Sequence, residues 1–168
     1  MKILRSLEAP RAHYAVRMNR DADPLQASGA IDVWYQCVGE AEASRTLDYL
    51  ALLSEEEGQL HASLRPEARL EYLTAHALVR RALSLYEPRP AHSWVFEADD
   101  AGRPRLSNAP EDWGLDFNLS HTDGLVACAI TRSGRVGIDV EALDHERDLD
   151  RVAKRVLGQR ERSWWQGL

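Results

Sequence analysis

The sequence predicts an α+β or layered α/β domain, and three observations carry that expectation. Residues Pro66 to Tyr86 form a long stretch with apolar residues at helical spacing. Short β-branched and aromatic runs flank it in the chain, Ile31 to Val38 before and Leu125 to Thr131 after. Turn residues, Gly124 and Ser133-Gly134 among them, punctuate the second half. The chain has 168 residues, 44% apolar and 29% charged, enough for a real core and ordinary for a globular protein.

Residues 1–30 show no clear periodicity and are expected to be a loop-rich extension with no assigned role. IDVWYQCV, from Ile31 to Val38, reads as a strand. Arg45 to Leu53 reads as a short helix, and Ser54 with Glu57 has the spacing of a capping box that opens the next. Pro66 suits a first helical position and Glu67 a first turn. Tyr72, Ala75, Val79, Leu83 and Tyr86 make its apolar stripe, and Pro88 and Pro90 end it. Trp94 to Glu97 reads as a short strand and DDAGRP, from Asp99 to Pro104, as a turn. Phe117 to Leu119 and Leu125 to Thr131 read as strands around the Gly124 turn, and Val136 to Glu141 as another strand. Asp148 to about Trp165 reads as one helix with Val152, Val156 and Leu157 inward.

A net charge of −6 argues against bulk attraction to nucleic acid or to an anionic membrane. No apolar run approaches the ~20 residues of a membrane helix, and no secretory h-region opens the chain. Cys37 and Cys128 lie in strand-like runs and read as buried free thiols of a reducing compartment, so the expected location is the cytoplasm.

The most informative stretch is GIDVE, Gly137 to Glu141. On a strand Asp139 and Glu141 share a face, with Cα atoms roughly 7 Å apart. Converging carboxylates repel unless a cation sits between them. Mg²⁺ suits such a pair, because it takes one or two carboxylates and fills its shell with water and phosphate oxygens. A half-exposed strand with polar residues outward has the same pattern, so the strand alone leaves both readings open. Ser120-His121 sits where a short strand turns outward and offers a hydroxyl and an imidazole to a phosphate. A serine-hydrolase reading is weaker, since no G-x-S-x-G elbow is present. Arg69, His76 and Arg80 fall within about 40° of one another on the long helix. That stripe faces either a polyphosphate or solvent, as does Arg103 in the GRP turn.

Taken together, YLTAHALVRRALSLY, AGRP, FNLSHTDGLVACAI, GRVGIDVE and a final helix containing RVLGQRE, in that order, resemble the 4′-phosphopantetheinyl transferases of the two-lobed, surfactin-synthetase-activating type. The resemblance covers about residues 47–168. It implies an antiparallel-rich sheet packed by the long helix, with residues 31–134 as a first lobe and 135–168 as the beginning of a second, incomplete one. It implies transfer of the phosphopantetheine arm of coenzyme A to a serine of an acyl or peptidyl carrier protein, with Mg²⁺ as cofactor. Asp139 and Glu141 are the implied catalytic metal ligands. Ser120 and His121 match positions that contact the 3′-phosphate end of coenzyme A, and Arg103 matches a nucleotide contact.

Where the family often has a basic residue early in the long helix, this chain has Glu71, with Arg69 two residues before it as a substitute. Basic residues expected near LSEEE are absent. The family's W-x-x-K-E-A-x-x-K helix, source of a third metal ligand, is not reached by Leu168, and Trp164-Trp165 is not followed by Lys-Glu. The alternative expectation is therefore a non-catalytic lobe that binds coenzyme A or pairs with another chain. A Mg²⁺ phosphodiesterase, drawing on Asp116 or Asp123, is a weaker one. Residues 147–162 hold six basic side chains against three acidic ones. Around Arg151, Lys154 and Arg155 they form either a docking face for an acidic carrier or an ordinary charged helix.

Overall fold

The computed structural model describes residues 2–5, 14–17, 30–39, 43–142 and 149–166. One antiparallel sheet has the order β1-β2-β3-β7-β6, built from Lys2–Arg5, Tyr14–Arg17, Ile31–Cys37, Leu125–Thr131 and Asp116–Thr122 respectively. A separate hairpin pairs β4, Phe96–Ala98, with β5, Pro104–Leu106. The helices are α1, Thr46–Leu50, α2, Glu55–Ser63, α3, Pro66–Tyr86, α4, Leu149–Val156 and α5, Gln159–Trp165. The expected α+β fold, with an antiparallel sheet and a long helix, is what the chain forms.

The long helix has the predicted bounds, and the capping box is present. Ser54 Oγ accepts from the Glu57 amide at 3.2 Å, and Glu57 Oε2 accepts from the Ser54 amide at 2.8 Å. The buried arc of α3 is wider than the predicted stripe. It adds Leu73, Ala77, Leu78, Arg80 and Ala82 to Val79, Leu83 and Tyr86, while Tyr72 and Ala75 are only half-buried. One side of this arc packs on Trp94, Phe117, Val126, Cys128 and Ile130. Another part, Leu73 and Ala77, meets Tyr49 of α1. A helix packed by both a sheet and helices needs two adjoining apolar faces, and a single stripe describes only one of them.

Five expectations change. Residues 1–30, expected to be loops, contain β1 and β2, whose four-residue length is too short to show a period; the rest of that stretch up to residue 29 lies outside the described residues. Cys37 is exposed, because it ends β3 on the side away from the core, whereas Cys128 is buried and its thiol pKa is pushed up by that burial. The predicted helix to Trp165 is two helices, since Gly158 is extended and donates its amide to Glu161 Oε2 at 2.7 Å, starting α5 afresh. Val156, at the end of α4, is 68% exposed and not inward. The expected start at Asp148 and the side chain of Val152 lie outside the described residues. Finally, Val136 to Glu141 joins no strand ladder.

Candidate functional site

The segment that carries GIDVE is held by side chains. Asp116, Asn118 and Ser120 alternate along β6 and so share one face. Asp116 Oδ2 accepts from the Val136 amide at 2.7 Å, Asn118 Oδ1 from Ile138 at 2.9 Å, and Ser120 Oγ from Val140 at 3.1 Å. Both chains advance two residues per bond, so the segment runs parallel to β6. In register, Asp116, Asn118 and Ser120 oppose Thr131, Ala129 and Ala127 of β7, whereas Phe117 opposes Ile130 and Leu119 opposes Cys128 in the core. The segment therefore lies on the face opposite α3. This corrects the strand expectation: the alternation in GIDVE is real, but side-chain acceptors take the place of backbone carbonyls. Val136 is buried while Gly137, Asp139 and Glu141 are exposed, as the period of two requires.

Ser120 ties this seam to the acidic pair. Its hydroxyl accepts from Val140 and donates to Asp139 Oδ1 at 3.0 Å, using it in both senses. Asp139 is thus oriented by a neighbour that is itself fixed to the sheet. Among the described residues no three His, Cys, Asp or Glu side chains form a group that could hold a metal ion. What is present is an oxygen-only pair at alternate exposed positions, Asp139 and Glu141. That set fits a hard cation that completes its shell with water and substrate, and does not fit a closed protein cage.

Ser120 and His121 do not converge. Adjacent strand residues face apart, and His121 lies on the α3 side, where Nδ1 contacts the Glu71 carboxylate. Beneath it is a cavity of about 290 Å³ walled by Leu64, Ala68, Tyr72, Ala75 and Leu119, with Glu71, His76 and His121 as its polar lining.

The basic candidates are each engaged within the fold. Arg69 donates to Ala62 O at 2.8 Å and Leu64 O at 3.0 Å, satisfying carbonyls at the end of α2. Arg103 Nη2 lies 2.7 Å from Asp116 Oδ2, 2.8 Å from Phe117 O and 2.7 Å from Val136 O. It clamps the start of β6 to the start of the GIDVE segment. Arg80 is only 1% exposed, which corrects both readings of the α3 stripe. Its Nη2 donates to Glu57 Oε2 at 2.7 Å and its guanidinium stacks 4.5 Å from the Phe96 ring centroid. His76 Nδ1 is 3.1 Å from Glu57 Oε1. Burial alone would raise the Glu57 carboxyl, but hydrogen bonds from His76, the Ser54 amide and Arg80, with the Arg80 charge, outweigh it and hold the pKa at about 2. Burial, reinforced by the Glu57 charge, pushes Tyr72 up to about 12.

Of the residues picked out in the sequence, Ser120 and Asp139 are brought into contact and Glu141 stands two residues from that contact. His121 and Arg69 lie apart from it on the α3 side, and Arg103 holds the start of the same seam through Asp116 and Val136. Asp116 and Asn118, as acceptors for the GIDVE segment, and Glu57, as counter-ion to Arg80, were not singled out for those roles. The polar alternation of D-F-N-L-S was the available signal for the first two.

No protein-family model matches the chain. The chain is 30% identical over 135 residues to the 4′-phosphopantetheinyl transferase HetI of Nostoc sp., a stretch that takes in 80% of this chain and 56% of HetI. The chain thus spans little more than half the length of that curated relative. The likeness supports the 4′-phosphopantetheinyl transferase superfamily.

Proposed function

We infer that the chain is a member of the 4′-phosphopantetheinyl transferase superfamily, and we propose that it serves a two-lobed, surfactin-synthetase-activating type of transferase working in the cytoplasm. In this reading residues 31–134 are the first lobe and 135–168 begin the second. The observation that carries it is the Ser120–Asp139 contact, which unites the two most family-like motifs, FNLSH and GIDVE, in one place.

The proposed reaction moves the phosphopantetheine arm of coenzyme A to a carrier-protein serine. The serine hydroxyl gives up its proton to solvent, and its oxygen bonds to the phosphorus that bears the arm. The bond from that phosphorus to the bridging oxygen breaks, and 3′,5′-adenosine diphosphate leaves with the electron pair. Such a transfer depends on positioning and charge neutralisation more than on covalent help. Asp139 and Glu141 would hold Mg²⁺, and the bound ion would neutralise charge on the pyrophosphate. Ser120 orients Asp139, and the Asp116–Asn118–Ser120 face fixes the segment that bears both carboxylates. His121 is assigned to the nucleotide end of coenzyme A, at the rim of the cavity on α3. Arg69 and Arg103 then act by shaping the site, through the contacts they already make.

The test is incubation of the full-length protein with coenzyme A, Mg²⁺ and an apo carrier protein, followed by mass spectrometry of the carrier. The arm is expected on the carrier serine. Asp139→Ala should reduce transfer by more than the roughly 10–100-fold that loss of an orienting partner costs, and Ser120→Ala should fall within that range. An unmodified carrier after long incubation with the unaltered protein would exclude the transferase reading. The absence of a third metal-ligating side chain among the described residues favours, as a second reading, a lobe that binds coenzyme A without turnover. Calorimetry showing binding with no carrier product would select it.

A further inference from the structure

We propose that Glu71 sets donor specificity, and that the cavity beside His121 favours a donor without a phosphate monoester on its ribose, dephospho-coenzyme A, at least as much as coenzyme A itself. This rests on the transferase reading above, which brings the nucleotide end of the donor to His121.

A phosphate monoester binds where N–H donors and cations outnumber carboxylates. The cavity does not offer that. Among the described residues no Lys or Arg lines it, and its walls are largely aliphatic. His121 is occupied by the Glu71 carboxylate. His76 is turned to Glu57, and Arg69 to the carbonyls of Ala62 and Leu64. A phosphate brought to His121 would therefore gain one imidazole already paired and would meet the charge of Glu71. An uncharged ribose hydroxyl meets no such repulsion and can donate to the same carboxylate. Glu71 belongs to neither buried core cluster and its side chain is 24% exposed, so it is not needed to fill the core. With the dephospho donor the transfer is unchanged at phosphorus, and adenosine monophosphate leaves in place of 3′,5′-adenosine diphosphate.

The experiment is calorimetric titration of the protein in Mg²⁺ with coenzyme A and with dephospho-coenzyme A, paired with carrier modification by each donor. Dephospho-coenzyme A is expected to bind at least as tightly. Glu71→Gln and Glu71→Lys should each shift the ratio toward coenzyme A, the Lys variant by about tenfold or more, which is 1.4 kcal/mol. Dephospho-coenzyme A affinity should change much less, and the thermal melt of Glu71→Gln should stay close to that of the unaltered protein. A preference for coenzyme A of about tenfold in the unaltered protein, insensitive to Glu71→Gln, would overturn the proposal while leaving the transferase reading intact. Failure of both donors to bind and to modify the carrier would overturn that reading, and this proposal with it.

Discussion

Glu57 accepts hydrogen bonds from the buried Arg80 and from its own helix cap, so one carboxylate serves both as N3 of α2 and as counter-ion inside the fold. Its depressed pKa fixes the sign of a pH effect. The carboxylate form is favoured in the folded state, so the stability it adds is fully present above the unfolded value of 4.5 and is lost as pH falls through about 2. Chemical denaturation between those limits should show stability falling with acid, and Glu57→Gln should flatten that slope. At neutral pH Glu57→Ala is expected to cost about 3–5 kcal/mol, because Arg80 would be left charged and buried. None of this was visible from helical periodicity. A stripe argument places arginine at the surface, and Arg80 is inside only because Glu57, 23 residues away in sequence, and Phe96 meet it there.

At the scale of elements, α3 and β7 were legible to the residue, since a 21-residue amphipathic run and an unbroken apolar strand each carry a strong local signal. The GIDVE segment was legible in its alternation and misread in its pairing. Its partners are side chains of β6, and periodicity in one segment says nothing about what the neighbouring segment offers. The seam makes a specific expectation. Asn118→Ala removes the acceptor of the Ile138 amide, and the cost should be about 1–3 kcal/mol if that amide finds no water. Under the proposed function the change should also weaken coenzyme A binding in Mg²⁺, by loosening the segment that bears Asp139 and Glu141. Denaturant melts with calorimetry on the same variant check both. Unaltered donor binding in a variant that has lost stability would separate the seam from the site.

Across the whole molecule, charge is unevenly distributed: α4 and α5 carry exposed Lys154, Arg155 and Arg160 in a chain of net charge −6. Arg147, the first basic residue of this region, lies outside the described residues. As a proposed carrier-docking face these helices should govern encounter more than chemistry. Reversal of Lys154 and Arg155 to Glu should raise KM for an acidic carrier about tenfold at low salt and leave kcat nearly unchanged, with the difference shrinking as salt is added. An ordinary solvated helix would show no such salt dependence. The same long view applies to the seam between β6 and residues 136–140. A backbone ladder does not depend on which side chains its residues carry, proline aside. Here the bond acceptors are three particular side chains, so the attachment is written in residue identity. The segment that bears Asp139 and Glu141 can be unfastened from the sheet one acceptor at a time, with the sheet's own ladder untouched. Amide hydrogen exchange at Val136, Ile138 and Val140 would register each release separately.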